Sequence, residues 1–233
     1  SHLYNQNTSR LRTTPKYSAY VKIGEGCNNG CSFCIIPHVR GKLYSRPVDS
    51  VVAEVQQLAA DGVKEINLIA QDTTSYGVDL AGHSLLPELL RQLVKIDGIR
   101  WIRLFYLYPH YFTDELMDLI VKEEKICPYV DLPLQHISQT VLQRMNRRDS
   151  EEDVRRLMKK LCSHGRKLTL RSTFIVGFPG ETEEEFQELC EFVKETEFDD
   201  VGVFTYSQED GTPAALMDDQ IPEEVKEERY HQL

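Results

Sequence analysis

The chain has 233 residues, 41% hydrophobic and 27% charged, ordinary for a globular protein of one large domain or two small ones. Its longest apolar runs, such as Phe174-Ile175-Val176, fall far short of the ~20 residues a membrane helix needs, and the polar stretch from Ser1 to Arg12 holds no apolar signal region. The net charge of −10 is uneven: residues 1–50 carry +5, residues 51–180 balance, and residues 181–233 carry −15. An acidic end of that size repels phosphate backbones, so direct nucleic-acid binding is not expected of this segment.

Residues 1–16 read as a linker or tag remnant. Tyr17 to Ile23 alternates and is rich in aromatic and β-branched residues, which predicts a strand. A cysteine-rich loop follows. Val48 to Ala60 repeats at helical spacing with Gly62 as its stop, and Glu65 to Ala70 is a second strand. Leu85 to Ile96 is a predicted helix, Trp101 to Leu107 a strand, Asp114 to Glu123 a helix and Tyr129 to Pro133 a short strand. Thr140 to Met145 and Ser150 to His164 are predicted helices, the second opened by a Ser150/Asp153 capping pattern and ended by Gly165. Leu168 to Val176 is the fifth strand. Thr182 and Glu185 cap a helix running to about Thr196, Asp200 to Tyr206 is the sixth strand, and a charged helix starts at Pro222. Six β/α units in strict alternation predict a parallel α/β sheet, too short for a closed eight-stranded barrel: an open, partial TIM barrel, (β/α)6. Polar and glycine-rich segments follow each strand and would share the C-terminal rim, where such folds build their chemistry.

The six cysteines are unevenly placed. Cys127, Cys162 and Cys190 stand alone and read as core thiols, whereas Cys27, Cys31 and Cys34 form a C-x3-C-x2-C loop. This pattern suits a reducing compartment, hence the cytoplasm, and a metal or cluster site. Three thiolates can each ligate one iron of a cubane, which leaves the fourth iron open. A zinc site is the alternative reading, but zinc wants four ligands and only His38 lies near.

The loop resembles that of the radical S-adenosylmethionine (radical SAM) enzymes. Gly26 to Gly41, GCNNGCSFCIIPHVRG, is similar to their methylthiotransferase branch, as are Asn67 to Gly77, NLIAQDTTSYG, Asp131 to Ser138, DLPLQHIS, Arg171 to Thr182, RSTFIVGFPGET, and Phe204 to Thr212, FTYSQEDGT. QDTTSYG and PLQHIS resemble the members that methylthiolate an aspartate of the small-subunit ribosomal protein uS12. The alternative is a core acting on isopentenyl-adenosine in tRNA, whose members usually show GQNVNSYG and PVQSGS.

The resemblance implies that Cys27, Cys31 and Cys34 hold a 4Fe-4S cluster whose open iron is chelated by S-adenosylmethionine. A 5′-deoxyadenosyl radical would then take hydrogen from the substrate carbon. It further implies a second 4Fe-4S cluster on an N-terminal domain, a C-terminal TRAM domain, and a flavodoxin or ferredoxin as reductant. Residues 17–220 would be the radical SAM domain, and residues 221–233 the start of a helix leading towards TRAM. Gln71, Asp72, Gln135, Arg171, Gly177 and Phe178 are the candidate S-adenosylmethionine contacts, with an internal salt bridge the equal alternative for Arg171 and a tight turn for Gly177. His110 and His136 read as structural, Tyr20 and Tyr206 as packing residues, and Phe33 and Ile35 as an apolar wall around the cluster.

Overall fold

A computed structural model describes Asn5, Thr8 and residues 12–163 and 165–233; most of the stretch read as a linker, and His164, lie outside the described residues. The chain starts with β1 (Ser18–Lys22), β2 (Gly24–Glu25), α1 (Ile36–Arg40), β3 (Tyr44–Ser45) and α2 (Val48–Ala60). It continues through β4 (Glu65–Ile69), α3 (Val78–Ala81), α4 (Leu86–Leu93), β5 (Trp101–Leu104) and α5 (Asp114–Lys122). Then come β6 (Tyr129–Asp131), α6 (Gln139–Arg144), α7 (Glu151–Ser163), β7 (Thr169–Val176), α8 (Glu183–Thr196), β8 (Asp200–Thr205) and α9 (Glu223–Gln232).

All six major strands are parallel. β1 pairs with β4 and β4 with β5; β6 pairs with β7 and β7 with β8. The two halves join through a parallel bridge between Ile102 and Ile126 and a hydrogen bond from the Leu107 N–H to the Asp131 carbonyl, 2.9 Å. The order β1-β4-β5-β6-β7-β8 is the predicted partial barrel, open between its first and last strands. The antiparallel pair β2–β3 and helix α1, which strand alternation alone did not reveal, bracket the cysteine loop.

Alternation along each strand divides the barrel into a dry outside and a wet inside. Ala19, Val21, Ile66, Leu68, Ile102, Leu104, Phe174 and Val176 point out and are buried with Val51, Val55, Leu58, Leu89, Leu90 and Leu93 of the surrounding helices. The inward set is polar or aromatic. Arg103 bonds Glu65 at 3.1 Å and lies 5.2 Å from the Tyr129 ring; Arg171 bonds Asp131 at 2.8 Å and Asp200 at 3.0 Å. This charged ladder crosses the lumen where a closed barrel would carry branched apolar residues. Tyr20, read as a packing residue, instead lies half exposed on the inner face beside Phe105. Cys127 is buried as expected, whereas Cys162 is exposed: its position on α7 falls outside the Val154-Leu157-Met158-Leu161 stripe.

The capping reading holds at two helices. Thr182 Oγ1 accepts the Glu185 N–H while Glu185 accepts the Thr182 N–H, and Ser150 and Asp153 do the same for α7. No helix among the described residues is long and apolar enough to cross a membrane.

Helix α9 packs on β7 and β8 as part of the barrel wall. Its Arg229 donates to the Glu181 carboxylate at 2.7 Å, and that carboxylate also accepts the Gly177 and Phe178 N–H groups. Both charged side chains are buried. Arg229→Met leaves this carboxylate without its counter-ion, at a cost of about 3–5 kcal/mol in urea unfolding. The double variant with Glu181→Gln is expected to recover part of that loss.

Candidate active site at the barrel rim

The cysteine loop leaves β2 through Gly26, whose φ is +74° and where an added Cβ would sit 2.2 Å from the Lys42 carbonyl oxygen. Only glycine allows that approach. The Cys27 N–H donates to the Gly41 carbonyl at 3.2 Å, and Asn28 Oδ1 accepts the Leu43 N–H at 3.1 Å, so the β3 side of the hairpin holds one flank of the loop. The other flank rests on the C-terminal turn of α6. Ser32 donates its hydroxyl to the Arg144 carbonyl and its N–H to the Met145 carbonyl, at 2.7 and 2.9 Å. Asn146 Nδ2 donates to the Gly30 carbonyl at 2.8 Å, Arg147 Nη1 approaches Cys31 Sγ to 4.0 Å, and Arg148 Nη2 donates to the Asn28 carbonyl at 2.9 Å. Five consecutive residues clasp one loop.

The three thiols line a cavity of about 390 Å³ together with Asn29, Phe33, Ile36, Ala70, Gln71, Tyr106, Tyr108, Gln135 and Arg147. Burial is the largest cause that raises the Cys27 thiol to about 11; the Asn29 N–H opposes it, and the charges of Asp72 and the other two thiols add to it. Burial, with Cys31 beside it, raises Cys34 as well. Among the described residues no three His, Cys, Asp or Glu side chains converge as they would on a single ion. All three thiols line the wall of one cavity, and three thiolates are the donor set of a cubane with one open iron.

Gln71 and Gln135 both stand on that wall. Gln71 donates to Glu25 at 3.1 Å, and its Oε1 is buried with no hydrogen-bond donor among the described residues. A buried acceptor without a donor, on a side chain that lines the cavity, fits a ligand amine. Gln135 has φ +72° and bridges to Phe174, which directs it across the rim. Asp72 does not line the cavity: it is buried, accepting from Asn29 at 2.8 Å, Thr74 and Ser75, and so braces the cysteine loop. Arg171 takes the salt-bridge alternative within the lumen ladder. Gly177 and Phe178 do not line the cavity. Lys226 covers Gly177, and Phe178 packs edge-on against Phe33 at 6.3 Å and Tyr206 at 5.3 Å in a small core beneath the loop. Phe33 is on the apolar wall as expected, but its partner there is Ile36 rather than Ile35, because α1 starts at Ile36 and turns it inward.

His136 is fully buried, with Nδ1 accepting the Ser138 N–H at 3.0 Å, and His110 packs edge-on to Tyr111, 4.7 Å between ring centres. Neither lines the cysteine cavity. The reading of residue types missed Tyr106, Tyr108 and the 144–148 clasp. An available signal was Asn146 just past the predicted end of α6: asparagine tolerates the left-handed conformation that closes helices, and its φ is +53°.

The sequence profile of the radical SAM superfamily matches residues 21–193. A protein of Geotalea uraniireducens named ribosomal protein uS12 methylthiotransferase RimO is 54% identical over 231 residues, 99% of this chain and 52% of its own length. The protein of the same name from Syntrophotalea carbinolica is 55% identical, covering 100% of this chain and 51% of its own. The chain thus spans about half the length of these curated relatives. Among solved structures, the radical S-adenosylmethionine methyltransferase TsrM from Kitasatospora setae aligns with a TM-score of 0.67 at 22% identity, over 84% of this chain and 38% of that one. Coproporphyrinogen III oxidase (HemN) from Escherichia coli, a radical SAM enzyme, aligns with a TM-score of 0.63 at 19% identity, over 91% and 50%. At these identities the structural matches establish the shared fold alone.

Because the raised thiols must lose protons to bind iron, iron affinity is expected to rise with pH between 7 and 9, about tenfold per unit for each thiol that gives up its proton. Chelator competition under argon measures this, and a flat profile would show thiols that are already ionised. Gly26→Ala is expected to lower the iron bound per chain by forcing the loop off the Lys42 carbonyl.

Proposed function

The chain belongs to the radical SAM superfamily, and on that premise we propose that it is the catalytic core of a methylthiotransferase acting on an aspartate of ribosomal protein uS12. The observation that carries the reading is the placement of all three C-x3-C-x2-C thiols and the unpartnered Gln71 acceptor on one cavity at the barrel rim. Support for the substrate comes from the names of relatives 54% and 55% identical to nearly the whole chain.

In this reading Cys27, Cys31 and Cys34 hold a 4Fe-4S cluster. When bound, the cluster supplies the electron that cleaves S-adenosylmethionine to a carbon-centred radical able to abstract hydrogen from an unactivated carbon. The chain's own residues bind, orient and shield. Gln71 Oε1 would accept from the methionyl amine, and Gln135, which lines the same cavity, would add a second polar contact. Phe33, Ile36, Ala70, Leu107 and Pro133 keep that volume apolar, so that water does not quench a reactive carbon centre. Asp72 works through Asn29, holding the loop at its Cys27 end.

The sulfur and methyl insertion belongs, in this reading, to a second 4Fe-4S cluster on a further part of a longer chain. A small reductant such as flavodoxin or ferredoxin supplies electrons, and the setting is the reducing cytoplasm. No direct nucleic-acid contact is assigned to this domain, whose end carries −15.

Anaerobic reconstitution of this chain with iron and sulfide, followed by dithionite and S-adenosylmethionine, is expected to yield 5′-deoxyadenosine, and Cys27→Ala to abolish it. Gln71→Ala is expected to weaken S-adenosylmethionine binding about tenfold or more, the worth of a hydrogen bond to a charged amine. The longer parent enzyme, offered uS12 and isopentenyl-adenosine tRNA in parallel, is expected to leave a methylthio mark on the uS12 aspartate by mass spectrometry; a mark on tRNA alone overturns the substrate assignment.

A further inference from the structure

Arg147 is a cationic side chain on the cysteine cavity wall, and nothing above uses it as a charge. Its placement is fixed from three directions. The α6 turn, closed by Asn146 at φ +53° and by the Arg147 N–H to Leu142 carbonyl bond of 2.9 Å, sets its backbone. Nη2 donates to the Pro133 carbonyl at 3.0 Å, and the guanidinium lies over the Tyr108 ring with Cζ 4.0 Å from its centre. Nη1 approaches Cys31 Sγ to 4.0 Å. Burial raises the Tyr108 phenol well above its ordinary value, so the ring under the guanidinium stays neutral; the buried carboxylate of Asp149 is the acid that Arg147 faces.

The other cations near the loop do not line the cavity. Lys22 bonds Glu25 at 2.7 Å, Arg40 lies 3.9 Å from the same carboxylate, Arg144 bonds Asp219, Arg148 donates to the Asn28 carbonyl at 2.9 Å, and Lys42 is exposed. Asp72 and Asp149 add buried negative charge nearby. Three thiolates, and one more electron when the cluster is reduced, would make this pocket strongly negative. A fixed guanidinium beside one ligand sulfur favours the added electron, because charge and hydrogen bonds at the sulfurs set the potential of such clusters.

We propose that Arg147 is a positioning residue that holds the Cys31 sulfur and, through its charge, raises the reduction potential of the cluster bound by Cys27, Cys31 and Cys34. The proposal rests on the cluster assignment made above. Its chemistry is electrostatic: no bond is made or broken, and the electron comes from the external reductant.

The test is a redox titration followed by electron paramagnetic resonance on the anaerobically reconstituted chain without S-adenosylmethionine, at matched iron content. Arg147→Gln and Arg147→Met both remove the charge, Arg147→Lys keeps it, and Lys42→Met removes an exposed cation beside the loop whose side chain takes no part in the clasp. The expected result is a lower midpoint potential in both neutral variants, with Arg147→Lys and Lys42→Met close to the wild type. Equal potentials in all variants overturn the proposal, and so does a fall in Arg147→Lys as large as in Arg147→Gln, which would make the role purely structural. A wild-type chain that assembles no 4Fe-4S cluster would instead sink the functional reading itself.

Discussion

The cysteine loop has no regular structure of its own, and its shape depends on the hydrogen bonds it makes to the turn at the end of α6. Gly30, Cys31 and Ser32 meet Asn146, Arg147, Arg144 and Met145, more than a hundred residues away in the chain. A loop with positive φ at Gly26 and Gly30 gains conformational freedom when unfolded and must be held by something else when folded. The hairpin β2–β3 grips its entry and the α6 turn grips its middle. The rest of the barrel serves to bring these two anchors to one rim.

Strain gathers at the same place. Of the four non-glycine residues with positive φ among those described, Tyr106 and Gln135 line the cavity and Asn146 clasps the loop. Left-handed backbone costs a side-chain-bearing residue roughly 1–2 kcal/mol. Such costs persist where neighbouring contacts fix the conformation, and here the Tyr106 N–H bonds Asp131 at 3.1 Å and the Gln135 N–H bonds the Thr173 carbonyl at 2.8 Å. Asp131 therefore serves the lumen ladder and the rim at once. A wet, charge-laddered interior is compatible with a stable barrel because the outward faces of β1, β4, β5, β6 and β7 are buried, and that of β8 partly so, which supplies the apolar core.

The acidic end of the chain divides by role. Glu181 is buried and organises the turn after β7, with Arg229 of α9 as its counter-ion, while Glu183, Glu184 and Glu185 crowd the positive N-terminus of α8, where acidic side chains are favoured. A charge count of −15 over residues 181–233 conceals this difference. The α9 helix reads as a charged appendage in sequence, yet its stem at Lys226 covers Gly177, and the turn below it seats Phe178 against Phe33 on the cavity wall.

Much of this was open to a reader of the sequence. Strand alternation, helical spacing and two capping boxes fixed the order of units, and six units are too few to close a barrel. Cys27, Cys31 and Cys34, whose spacing is local, and Gln71 and Gln135, which directly follow strands, line one cavity. The candidate residues that do not line it share one cause. Asp72, Arg171 and Phe178 have the right chemistry at plausible positions, but whether each faces a cavity or a partner depends on residues distant in sequence: Asn29, Asp131 with Asp200, and Phe33 with Tyr206. Arg147 was missed for the converse reason, since nothing within a few residues of it suggests a sulfur partner. Sequence determined which groups exist and which elements carry them, because periodicity and spacing are local properties. Tertiary structure alone decided which polar groups are satisfied by other protein atoms and which remain free for a ligand, because hydrogen bonds and burial are set by contacts across the fold.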